Sequence, residues 1–245
     1  MAKYFTDFSE YPTGQTPDDW RDSWITGGHS LIVRDASGAM GGKVLEHRIE
    51  ENDRRAWAWD RVPRGAAKVE ILTRMRSSSG DSRFGIIARG DGEGVRSTEQ
   101  GVTCEFFKGS NHKVVEHEAP KLELRQTLFL DSYNPEGEQL RGPERPHGVA
   151  KIWGESFFPW VPGKWFWLRL QVEERDGYLC ARARAWDELE PDWWHYDVEN
   201  IEPATVGANG WVGITGQRLE GVREYDFFSV GTEGDSAPLI RHHSR

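Results

Sequence analysis

The chain has 245 residues, 37% hydrophobic and 29% charged, with a formal net charge of −9. Phosphate neutralisation needs a basic surface, so wholesale nucleic-acid binding is disfavoured. The N-terminal MAKYFTDFSEYP lacks an apolar leader core, and no later stretch approaches 18 apolar residues, so neither a signal peptide nor a membrane-inserted segment is expected.

In chain order, Lys3–Phe8 reads as a first strand, and Ser9–Asp19 as a turn broken by Pro12, Gly14 and Pro17. Trp24–Arg34 and Gly42–Ile49 read as strands, followed by Ala56–Asp60, which puts Trp57 and Trp59 on one face. Ala67–Met75, Arg83–Arg89, Val102–Phe107 and Lys121–Leu130 continue the β pattern, with a weak strand at His112–His117. Asp131–Gly148 is the longest irregular segment, and loops of that length carry function or partner contacts, or are disordered excursions. Ala150–Phe158 returns to β, Asp187–Trp194 is a turn carrying Trp193 and Trp194, and Gly210–Thr215 and Arg223–Val230 are the last strands.

The clearest element is Trp165–Trp186. Asp176–Gly177 is a hairpin signal, because a type I′ turn needs positive φ at both central residues. That turn sets Val172, Leu170 and Leu168 opposite Ala181, Ala183 and Ala185. On the other face it sets Gln171 opposite Arg182, Arg169 opposite Arg184 and Trp167 opposite Trp186. A slip of one residue would exchange the faces and bury the arginines. About fourteen short strands and no convincing helix predict an all-β, antiparallel β-sandwich in a single domain. The domain is expected over 1–232, with a polar C-terminal tail over 233–245. Cys104 and Cys180 fall in strands and are expected as buried free thiols, bridged only if their strands pair closely.

FTDFSEYPTGQTPDDW, the Trp165–Trp186 hairpin with Pro191–Trp193, GWVGITG at Gly210–Gly216 and the closing EYDFFSVGTEGD together resemble the concanavalin A-like lectin/glucanase jelly roll. The pattern is similar, more narrowly, to laminin-G-like jelly rolls of bacteriophage virion proteins. The resemblance implies paired first and last strands, with Phe5 and Phe8 near Phe227 and Phe228. It further implies a non-enzymatic virion component, of tail, head fibre or capsid surface, assembled in a host cytoplasm. Its partners would be copies of itself or other virion proteins, and host-surface glycan. The alternative is a bacterial carbohydrate-binding or glycoside-hydrolase-like protein. Related jelly rolls often hold calcium near the paired termini. Asp7 and Asp226 are the acidic residues there, fewer oxygen donors than calcium takes, and no cofactor is otherwise expected.

Retaining glucanases of this superfamily carry E-x-D-x-E-type carboxylates on one strand. Glu46–Glu50 lacks the middle Asp, and Asp187–Glu190 lies in a Pro-terminated turn, so no catalytic residue is assigned. The candidate contact residues for glycan or a protein partner are Trp57, Trp59, Trp167, Arg169, Arg182, Arg184 and Trp186. Arg169 opposite Arg184 is unfavourable by itself and demands compensation. Glu70, Glu105 and Glu123 are candidate partners, and the face is an ionic ladder, a saccharide site or a protein contact. His112, His117 and His242–His243 do not have the spacing of a metal site.

Overall fold

The computed structural model describes residues 2–23, 29–50, 55–90, 99–108, 119–129, 151–202, 210–217 and 220–239. The Asp131–Gly148 loop, His112–His117, His242–His243 and the first residues of the Trp24–Arg34 strand lie outside them. Among the described residues all regular structure is β. In chain order the strands are β1 (Ala2–Thr6), β2 (Trp20–Asp22), β3 (His29–Asp35), β4 (Lys43–Ile49) and β5 (Arg55–Trp59). Then come β6 (Lys68–Ser77), β7 (Arg83–Gly90), β8 (Glu99–Phe107), β9 (Lys121–Phe129) and β10 (Ile152–Phe157). The last are β11 (Phe166–Arg175), β12 (Tyr178–Trp186), β13 (Tyr196–Ile201), β14 (Trp211–Gln217) and β15 (Arg223–Thr232). β2 is too short to show a period, and β13 alternates on an edge with a largely polar outer side, so neither is marked in the sequence.

The strands form two antiparallel sheets. The first runs β13-β12-β11-β6-β15-β4-β3, with β1 also on β15, and the second runs β10-β9-β8-β7-β14-β5-β2. Period-two alternation sends Ile71, Leu168, Leu170 and Val230 of the first sheet into one core with Phe84, Ile86, Phe106 and Leu124 of the second. Two polar side chains of β15 cross that core. The Tyr225 hydroxyl reaches the carbonyls of Gly85 and Thr215 at 3.3 and 3.2 Å. The fully buried Arg223 donates to the carbonyls of Arg83 and Gln217 at 3.2 and 2.7 Å, and burial lowers its pKa to about 10.

The hairpin has the expected register, Trp167 to Trp186, Arg169 to Arg184 and Leu170 to Ala183, around Asp176 and Gly177 at φ 53° and 81°. β1 pairs with β15 from Ala2↔Thr232 to Thr6↔Phe228, so first and last strands are neighbours. Phe8 is buried and reaches Phe228 through Trp20, which touches both rings. Phe5 takes the other face, which Phe227 shares. It lies opposite Ser229, on the face away from the core, and is 45% exposed. Cys104 and Cys180 are buried free thiols in different sheets. The residues after β15 do not simply trail away. Ala237 is buried beside Leu72, Trp186 and Phe227, and its N–H donates to Glu70 at 3.1 Å.

Candidate functional site

The outer face of the hairpin is an ion-paired surface. The Asp187–Trp194 turn folds back so that Glu190 lies between the two arginines. Arg169 donates Nε and Nη2 to its two oxygens at 2.7 and 3.1 Å, and Arg184 Nη2 lies 2.5 Å from Oε1. Arg169 also pairs with Glu70 of β6 and is buried. Arg184 donates to the Pro191 carbonyl and stacks 4.4 Å over the Trp194 ring. Arg182 makes an exposed pair with Asp197 at 2.8 Å. The like charges are therefore reconciled by shared carboxylates.

Glu105 and Glu123 belong elsewhere, correcting their expected role. They face each other on the outer side of the second sheet, where Arg83 bridges them and Arg125 joins Glu123 at 3.2 Å. Two carboxylates in direct register on neighbouring strands match no single-strand motif, yet such a register gives a spacing like that of a retaining glycosidase pair, roughly 5 Å. Here both are fully buried and bound to an arginine between them, which makes a closed ion network.

The tryptophan candidates divide. Both Trp57 and Trp59 lie in the core: Trp59 is fully buried, with Trp20 stacked on it at 5.8 Å and Phe228 in a T-shaped contact at 5.4 Å, and Trp57 is 8% exposed, with the His29 ring at 5.2 Å. Both side chains are buried, which leaves neither Trp57 nor Trp59 as an open stacking platform. Trp167 and Trp186 stack on each other at 6.2 Å and 11°. Phe227 closes one side of Trp167 at 5.7 Å, and Trp186 is buried.

Among the described tryptophans the exposed one is Trp193, 59% exposed on the turn beside Leu189 at 84%. Trp194 goes under Arg184, and Trp193 faces outward, with the His195 ring 4.2 Å away. Together with Phe158, Pro159 and Trp186 they border a cavity of about 250 Å³. Burial lowers the His195 pKa, keeping its ring neutral, and Nδ1 accepts the Ala185 N–H at 3.4 Å. The carboxylate in the cavity, Asp187, pairs with Lys164 at 2.7 Å, and that pair holds its pKa down. Of the expected residues only Trp186 borders this cavity. The available signal was Trp-Trp-His in a short turn, which cannot bury every ring.

Asp7 and Asp226 do not form an evident cation site. Asp7 accepts Ser9 Oγ at 2.6 Å, and Asp226 pairs with Arg74 at 2.9 Å. Among the described residues no group of three or more His, Cys, Asp or Glu could hold a metal ion.

No protein-family model and no curated protein sequence matches the chain. Solved structures do. The Lotus tetragonolobus seed lectin aligns with TM-score 0.52 and 9% identity, over 98% of this chain and 100% of the lectin. Lectin I of Ulex europaeus, solved with the methyl glycoside of α-L-fucose, gives 0.52 and 9%, over 94% and 96%. Xylan β-1,4-xylosidase from Bacillus halodurans gives 0.51 and 16% over 94% of this chain, which spans 39% of that enzyme. At such identities the likeness is one of fold, and the fold is the legume-lectin-like, concanavalin A-type sandwich of two antiparallel sheets.

Proposed function

We propose that the chain is a non-enzymatic glycan-binding protein whose sugar stacks on Trp193. The observation that carries this reading is the exposed Trp193 ring, held beside a neutral His195 at the mouth of an aromatic-bordered cavity. An aromatic face takes the C–H side of a sugar ring, and a few polar groups at the rim fix its orientation. Two of the fold's relatives named above are lectins, which agrees with this reading. Hydrolysis would need two carboxyl groups flanking the bond. The cavity has Asp187, already tied to Lys164. The virion role expected from the closing strand has no counterpart among those structures, and it is not part of the proposal.

A glycan array probed with the wild-type chain, Trp193→Ala and Trp167→Ala tests it. Trp193→Ala should weaken binding at least about tenfold, the effect of truncating an aromatic anchor. Trp167→Ala, on the covered face, should bind as the wild type does. A wild-type chain that captures no glycan, or a Trp193→Ala chain that binds equally well, would sink the reading.

A further inference from the structure

We propose a second saccharide site, independent of Trp193, in the cavity between the 9–19 loop and Arg61. The cavity measures about 360 Å³, within the usual small-molecule range of roughly 300–1,000 Å³. Its walls are fixed in advance. Gly14, at φ 86°, donates its N–H to the Val33 carbonyl at 2.8 Å, and Val33 returns a bond to Gln15 at 2.9 Å. Thr16 Oγ1 donates to the Leu31 carbonyl, and Lys43 Nζ to the Tyr11 carbonyl, both at 2.6 Å. The loop is thus an added rung on β3, and binding does not have to order it.

The polar centre is Asp19. One carboxylate oxygen, Oδ2, accepts the Tyr11 hydroxyl at 2.8 Å and the Trp59 indole N–H at 3.3 Å, with Arg61 Nε at 2.5 Å. Burial and that carboxylate push the Tyr11 pKa up, so the phenol stays a donor. The Arg61 guanidinium lies 5.2 Å from the Tyr11 ring centre and reaches Glu10 at 3.1 Å. Trp59 joins this network only through its N–H on Asp19, with its ring in the core.

The chemistry left over selects the ligand. Gln15 and Asp18 border the cavity as exposed side chains that bond to no other described residue. An amide, a carboxylate and the outer edge of a guanidinium suit groups that both donate and accept, which adjacent sugar hydroxyls do. Pro12 and Pro17 offer apolar wall to the C–H face. Asp18 and Asp19 outnumber Arg61 in the lining, which disfavours anionic sugars. This cavity sits at the β2, β3 and β5 edge of the sandwich, and the Trp193 cavity at the opposite, β12 side. A chain with both would grip a polymeric or branched glycan at two points and gain by avidity.

The test uses the methyl glycosides of glucose, galactose, mannose, xylose and fucose in the millimolar range, about 1–10 mM, where single-ring sites are populated. Binding is followed by NMR on the full Trp193→Ala chain and on Trp193→Ala with Gln15→Ala and Asp18→Asn. Those two side chains lie outside the Tyr11–Asp19–Arg61 network, and a thermal melt confirms an intact fold. The expected result is saturable binding in the single variant, with shifts at the 9–19 loop and Arg61, weakened at least about fivefold in the triple variant. No binding by the single variant to any probe, or equal binding by both, overturns the second site. Loop binding that persists in a wild-type chain insensitive to Trp193→Ala would overturn the first reading and keep this one.

Discussion

Arg169 and Arg184 stand opposite each other across a strand pair, and what makes them tolerable is Glu190, reached from a turn beyond the strand. A buried pair broken from one side leaves an uncompensated charge, at about 3–5 kcal/mol. Glu190 is 27% exposed, so water recovers part of that loss. Glu190→Gln is expected to lower stability by about 2 kcal/mol in urea unfolding. Asp197→Asn, which frees the exposed Arg182, should cost no more than about 0.5 kcal/mol. Equal effects from the two changes would mean that Glu70 alone stabilises Arg169. The need for a compensating anion is legible in the sequence, because two arginines in one register position cannot stand alone. Its identity is not legible, since Glu190 reaches them only through the conformation of a proline-containing turn. Trp57 and Trp59 show the same limit. Alternation puts them on one face, but the intervening Ala56 and Ala58 leave both faces apolar, so inside and outside look alike.

Strands carry the second ion network, and its logic is clearer at the level of the sheet. β7, β8 and β9 bring Arg83, Glu105 and Glu123 together on an outer face that is nonetheless closed to water. Arg83→Met would leave two carboxylates facing each other, with an expected loss of about 3–5 kcal/mol. Adding Glu105→Gln and Glu123→Gln removes the repulsion, and should recover a substantial part of that loss, since replacing a whole buried network is far less costly than breaking it. Urea unfolding of the single and triple variants measures the difference. A triple variant as unstable as Arg83→Met would show that packing of the arginine, and not charge balance, holds these strands. The hairpin register was readable because period-two alternation and Asp-Gly act over neighbouring residues. The assignment of Glu105 and Glu123 to the wrong sheet has a topological cause. Which sheet a strand joins is decided by pairings across the whole chain, as when β6 lies between β11 and β15. Similarly, the exposed Trp193 follows from its turn, whereas the cavity beside it needs Phe158 and Pro159 from the end of β10.

For the molecule as a whole, the first and last strands meet beside one irregularity. β15 pairs with β4 through Arg223–Tyr225 and with β1 from Phe228 onward, and its register on β6 shifts between Tyr225 and Phe227. Asp226 occupies that shift. Its Oδ2 accepts the Met40 N–H at 3.1 Å and Arg74 Nη1 at 2.9 Å, while Oδ1 has no hydrogen-bond partner. Arg76 stands next along β6 but is paired with Glu224 at 2.5 Å. Burial outweighs the attraction of Arg74 and raises the Asp226 pKa from 3.8 to about 7. The folded chain then holds this proton where the unfolded chain has lost it. The stabilisation is complete below the unfolded value near pH 4 and is lost as pH rises toward 7, at no more than about 1.4 kcal/mol per pH unit. Asp226→Asn cannot titrate and keeps a polar group at the bulge, and Arg74 retains its contact with the Trp165 ring at 4.9 Å. The wild type should therefore lose stability relative to Asp226→Asn by a few kcal/mol between pH 4 and pH 7, with the gap constant above that range. Urea unfolding of both chains at a series of pH values measures this gap directly. Parallel curves throughout would show that Asp226 does not titrate there and that the junction of β1, β4 and β15 is held as an ordinary ion pair.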